Sequence, residues 1–218
     1  MRQQILQIQG KYPDFDQISQ TFPDLENIAT QEGLDVFVLN LPVFSCLCYF
    51  RNRPFILLND RLNNIQRTFS LAHELGHYFL HKDYDLCYFS ARPSIVERIE
   101  NEANTFALLA IFPTPLVDRF YEEGKLCCHS LIKYYRSTYP DSSIPSNREH
   151  KVYQLMRLRI ATYFGWERNG ALRRELPSSL ASSCLCQQFG EPTRFPDCIR
   201  RDQKTYSGCR CKLAINSR

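Results

Sequence analysis

Apolar and polar positions follow two rhythms along the chain, and each change of rhythm marks a predicted element. Residues 24–41, DLENIATQEGLDVFVLNL, open as a capped helical stretch, break at Gly33 and continue as an apolar run of strand length. FSCLCYF (44–50) and PFILLND (54–60) read as two further strands, joined by the polar turn Arg51-Asn52-Arg53. From Asn63 or Asn64 the rhythm becomes helical: Ile65, Phe69, Ala72, Leu75 and Phe79 recur at helical spacing, and the helix is predicted to reach His81. A second strong helix is expected from about Ser94 to Phe112, stopped by Pro113 and Pro115. STYPDSSIPSN (137–147) reads as a linker, and EHKVYQLMRLRIATYFG (149–165) as one more helix ended by Gly165. From about Trp166 on, Gly, Pro, Ser, Arg and Cys dominate, and no periodicity predicts an element. The expected organisation is a domain over 1–136 with a short N-terminal lead-in, a linker and accessory helix over 137–165, and a Cys-rich basic tail over 166–218.

Composition changes this picture in three places. At 218 residues and 44% hydrophobic the chain can bury a real core. No run approaches 18 uninterrupted apolar residues, and MRQQILQIQGKYPDFDQ lacks the apolar stretch of a signal peptide, so no membrane span and a cytoplasmic location are expected. Without an export signal the ten cysteines read mostly as reduced thiols. Cys46 and Cys48 share one face of a predicted strand. Cys184, Cys186, Cys198, Cys209 and Cys211 form a candidate second, structural metal site, although C-x-C pairs signal zinc less strongly than C-x-x-C. The net charge of +4 is unevenly spread. Residues 1–110 carry 9 Lys/Arg against 13 Asp/Glu, and residues 111–218 carry 18 against 10, so the second half offers a basic surface to an acidic partner, protein or nucleic acid.

The chemistry concentrates in SLAHELGHYFLH, residues 70–81. On a helix, positions i and i+4 lie on one side about 6 Å apart along the axis, so His73 and His77 can aim at one ion. Glu74 stands beside them, placed to act on water without ligating. Gly76 sits inside the helix, where glycine costs about 1 kcal/mol against alanine, and implies that something packs close there. His81 lies about 12 Å along the helix from His73, too far to share the ion, and is expected to bond open carbonyls near the helix C-terminus. Asp83 would serve only if a glycine bent the helix at position 80, where Leu80 stands.

The second helix offers a better third ligand. Ile99, Ala103, Phe106, Ala107 and Ala110 form its apolar stripe, with Glu100 at the border and Glu102 farther round. A carboxylate at the edge of a core face is costly unless paired or metal-bound, which favours Glu100 and leaves Glu102 in reserve. Asn104, one turn after Glu100, is placed to hydrogen-bond a ligand histidine. Two histidines and one glutamate fit a catalytic zinc that keeps one position for water, with Glu74 as the base that activates it. Tyr78, His129 and Tyr153 remain candidate donors to the developing oxyanion.

RTFSLAHELGHYFLH followed by ENEANTFALLAIFP resembles the ImmA/IrrE family of metallopeptidases over about residues 24–115. Glu100, Asn104, Phe106, Ala107 and Pro113 carry the second block of that resemblance, and Ile111-Phe112 stands where Leu-Met is usual. The resemblance implies an α+β, zincin-like domain with a small antiparallel sheet packed on an active-site helix and a second ligand helix. It also implies a zinc endopeptidase whose partner is a protein substrate, a DNA-binding repressor of the helix-turn-helix type. A module that binds or sequesters a regulator without cutting it is the alternative. Direct nucleic-acid binding through the basic tail is a further reading, weakened by the scarcity of alternating aromatic and basic residues there.

Overall fold

Two short helices lead into the sheet in the computed structural model, which describes residues 1–51, 53–82, 93–138 and 149–168. The first, α1 (Arg2–Lys11), presents only Ile5 and Ile8 to the core, too few apolar positions to announce a helix from sequence. The second, α2 (Phe22–Gln31), starts where the Asp24 carboxylate accepts from the Thr21 backbone N–H at 2.8 Å. It stops at Gly33, whose φ of +74° suits a residue without Cβ.

Three strands follow: β1 (Asp35–Leu39), β2 (Ser45–Phe50) and β3 (Arg53–Asn59). The fold is α+β as expected, but the sheet is mixed rather than antiparallel. Its order is β1-β3-β2, with β1 parallel to β3 and β2 antiparallel to it. The reason is local. Residues 40–44 pass over the end of β3, where the Asn59 side chain donates to the carbonyls of Leu41 (2.6 Å) and Val43 (3.0 Å). That crossing carries the chain over β3 and seats β2 on its far side.

The next helix, α3 (Asn64–His81), is capped reciprocally: Asn63 Oδ1 accepts from Gln66 N at 3.0 Å, and Gln66 Oε1 from Asn63 N at 3.2 Å. It packs along α4 (Pro93–Ile111). Two helices that the sequence pattern left unread follow, α5 (Thr114–Glu122) and α6 (Cys128–Thr138), and α7 (Glu149–Arg168) runs slightly past its expected end. Leu25, Ala29, Ile56, Leu58, Leu71, Leu75, Phe106 and Ala107 fill the core between α2, the sheet and the α3–α4 pair.

A buried polar cluster ties the remaining helices on. The Arg159 side chain of α7 is fully buried; its Nε donates to the Phe112 carbonyl at 2.7 Å and its NH2 to Thr114 Oγ1 at 3.1 Å. Asp16 accepts from the Thr114 backbone N–H at 2.7 Å and faces Arg159 at 3.7 Å. Asp16 holds a left-handed φ of +59°, a conformation that aspartate tolerates better than most residues. Burial raises the Asp16 carboxyl above its ordinary range against the pull of Arg159, and lowers the guanidinium to about 10. No helix among the described residues is long and apolar enough to cross a membrane. Asp83, residues 139–147 of the expected linker, the five tail cysteines and residues 169–218 lie outside the described residues.

Candidate metal centre

Gly76 sets how closely α3 and α4 approach. A Cβ added there would lie 3.0 Å from both the Ala103 Cα and the Phe106 Cβ, so the expectation of close packing at this position has its partner. Phe106 also packs against Phe15, the rings tilted by 31° with centroids 4.6 Å apart. With the helices in contact, the Glu100 carboxylate on α4 reaches the two imidazoles on α3.

The three candidate ligands form one cluster. His73 Nε2 and His77 Nε2 lie 3.0 Å apart, and each faces a Glu100 oxygen, at 3.4 Å and 3.5 Å respectively. The ligand atoms of the three residues all lie within 4.8 Å of one another, a group that could hold a metal ion. Zinc bonds of about 2.0–2.1 Å in tetrahedral array separate neighbouring ligand atoms by roughly 3.3 Å. The observed 3.0–3.5 Å separations bracket that value, and two imidazoles with one carboxylate are a donor set zinc accepts. The residues present therefore fit the ion.

Hydrogen bonds orient the cluster. His73 Nδ1 stands 3.1 Å from Asn104 Oδ1, which can only accept, so the proton lies on Nδ1 and the Nε2 lone pair turns to the shared space. Phe69 lies stacked beside the His73 ring. Burial opposes charge on His73, yet the hydrogen bond its protonated ring donates to Glu100 and the charges of Glu74 and Glu100 raise its pKa above the ordinary imidazole value. Burial likewise favours a neutral Glu100, but hydrogen bonds and charge from His73 and His77 hold its carboxyl well below the usual range. Those hydrogen bonds draw on protonated Nε2 atoms, and an ion that displaced the Nε2 protons would meet one carboxylate and two nitrogen donors at one point.

Glu74 is buried, and Ser45 Oγ donates to its Oε1 at 2.6 Å. Sequence reading missed Ser45. A signal was available: Ser45 is a polar residue on the same strand face as Leu47, which packs on the core.

Two expectations need correction. His81 does not serve the helix terminus through its ring: Nδ1 lies 3.2 Å from His77 Nδ1, and Nε2 lies 2.9 Å from Glu102 Oε2. Glu102 is accordingly no reserve ligand, because its carboxylate is committed to His81. Of the candidate oxyanion donors, Tyr78 sets its hydroxyl 3.5 Å from the Glu32 carbonyl oxygen at the end of α2, and His129 is exposed on α6. Cys46 and Cys48 do share a strand face, and the Cys48 thiol donates to Cys46 Sγ at 3.5 Å with no disulfide between them.

Comparison with known proteins gives two findings. Residues 29–139 match the family described as the IrrE N-terminal-like domain, a peptidase family. A 73-residue segment is 36% identical to the uncharacterized immunity region protein 2 of Bacillus phage phi105. That segment is 33% of this chain and 46% of the phage protein, so the match spans somewhat under half the relative's length.

Proposed function

The chain belongs to the ImmA/IrrE peptidase family, and from that premise we propose that it is a zinc-dependent endopeptidase that cuts a partner protein, a helix-turn-helix transcriptional repressor. One observation supports this reading above the others. His73 Nε2, His77 Nε2 and the Glu100 carboxylate converge on one space, with the charge of Glu74 close enough to bear on His73.

Zinc held by these three residues would supply Lewis-acid polarisation of the scissile carbonyl and a water made acidic enough to lose its proton near neutral pH. The protein's own part begins with Glu74. Its carboxylate takes the proton of the attacking water as oxygen adds to the carbonyl carbon. As the C–N bond breaks, Glu74 returns that proton to the leaving amine, so a carboxylic acid and an amine are released and the base is regenerated. The Ser45 hydroxyl holds Glu74 Oε1 and leaves Oε2 for this transfer. Asn104 keeps the His73 lone pair directed at the ligand space.

The repressor as substrate rests on the family and on the phage relative's name, which places that protein in an immunity region. The test is co-incubation of the zinc-loaded chain with helix-turn-helix repressors from the same genome, with and without chelator, and with Glu74→Gln in parallel. Cleavage that stops with chelator and with Glu74→Gln is the expected result. Cleavage by Glu74→Gln at the wild-type rate would sink the mechanism, and binding without cleavage by the zinc-loaded wild type would favour a sequestering module.

A further inference from the structure

His77 has a partner on its far side. Its Nδ1 faces Nδ1 of His81 at 3.2 Å, and Nε2 of His81 faces Glu102 Oε2 at 2.9 Å. The His81 side chain is 1% exposed, so water does not stand in for either contact. Two facing ring nitrogens share a single proton, and proton position on each imidazole decides which nitrogen can ligate.

The assignments then follow in one direction. A His77 that offers its Nε2 lone pair must carry its proton on Nδ1. His81 Nδ1 must accept that proton's hydrogen bond, so His81 keeps its own proton on Nε2. The Glu102 carboxylate has only acceptors, and it holds the proton there. Without Glu102, His81 is free to place its proton on Nδ1, opposite His77. His77 would then carry its proton on Nε2, where it blocks ligation.

We propose that Glu102 and His81 form a buried hydrogen-bond relay that fixes His77 in the tautomer whose Nε2 lone pair is open to the metal. Both are positioning residues, and the relay rests on the metal-site reading above. The two ligand imidazoles are thereby oriented by different means: His73 by a single carboxamide, His77 by an imidazole that is itself oriented by a carboxylate. On α4, Glu100 and Glu102 divide the work, one facing the ion space and the other setting a proton two side chains away.

The test has two parts. In the zinc-loaded full chain labelled with nitrogen-15, the His81 ring should show a protonated Nε2 and a bare Nδ1. A proton on His81 Nδ1 overturns the proposal, and this measurement needs no variant. Zinc affinity, measured by competition with a chromophoric chelator, should fall roughly 10- to 100-fold in His81→Phe, as outer partners of ligand histidines do when lost. His81→Gln should recover part of it, because its carboxamide oxygen can accept from His77 Nδ1, and Glu102→Ala should weaken zinc as well. His81→Phe with wild-type zinc affinity overturns the relay. A wild-type chain that takes up no zinc is a different result, because it removes the metal-site reading on which the relay rests.

Discussion

Two clusters of buried polar groups stand out among the described residues, and they are built to opposite ends. Around Arg159 every named contact closes inward: Asp16 and Thr114 answer one another and the guanidinium, and the cluster ties α7 and the N-terminal segment to the start of α5. Around His77 the contacts are arranged so that something stays open. Asn104, His81 and Glu102 satisfy the outer nitrogens, which leaves the two Nε2 atoms and Glu100 facing one space. Burying charge thus serves architecture in the first cluster and, on the proposed reading, reactivity in the second. What separates them is where the polar atoms point: toward other elements of the fold in the first, toward a shared space in the second.

The largest effect should come from unbalancing the closed cluster. Arg159→Ala strands the Asp16 carboxylate and should cost about 3–5 kcal/mol of stability by denaturant unfolding, while zinc affinity stays at the wild-type level. Adding Asp16→Asn should recover part of the loss, because the carboxamide oxygen still accepts from Thr114. Equal loss of zinc would mean that the two clusters are not independent. The open cluster should respond the other way. Glu100→Ala should lower zinc affinity by more than about 100-fold, beyond the usual effect of an outer partner, with little change in the unfolding midpoint of the zinc-free chain. Full zinc occupancy in that variant would remove Glu100 from the ligand set.

A smaller effect is expected at the helix contact that serves the open cluster. Gly76→Ala gains about 1 kcal/mol in helix propensity, but overpacking against Ala103 and Phe106 typically costs about 1–3 kcal/mol. A net destabilisation with weakened zinc binding is expected, and a stabilised variant would show that α4 can retreat freely. The smallest effect lies outside both clusters, where Glu32 accepts from Lys11 and Tyr12. Burial alone would raise Glu32, but these partners hold its carboxyl below the ordinary range. The depressed value makes its stabilisation complete above about pH 4.3 and lost as acid carries the pH down through the folded value. Glu32→Gln should flatten that limb of the stability–pH curve only slightly, as expected for a contact at the surface.

Where local spacing carries the information, the sequence was legible. Helix α3 declares itself through five apolar positions at one period and through Asn63, and the i, i+4 histidines follow from it. Glu100 could be chosen because a carboxylate at the border of an apolar stripe asks for a partner. The order of the sheet could not be read, since it turns on Asn59 gripping the crossing at residues 41 and 43, a contact with no periodic trace. Helices α1, α5 and α6 each bury only two or three residues, too few to show a rhythm. Ser45, His81 and Glu102 acquire their roles from other elements of the fold. Spacing along one helix set His81 apart from His73, and the group of three does not include it, but spacing could not show that His81 reaches His77 on one side and α4 on the other.

The closed cluster also bears on the order in which the molecule assembles. Asp16 meets Thr114 across 98 residues and Arg159 meets Thr114 across 45, whereas His73 and Asn104 are 31 apart. Closing a longer loop costs more chain entropy before any contact repays it. The α3–α4 pair is therefore expected to come together early, and the Arg159 cluster late, as the step that draws both ends of the described chain onto a centre already formed. Substitutions at Arg159 should then speed unfolding more than they slow folding, so that the cluster sets how long the finished protein lasts rather than how fast it is made.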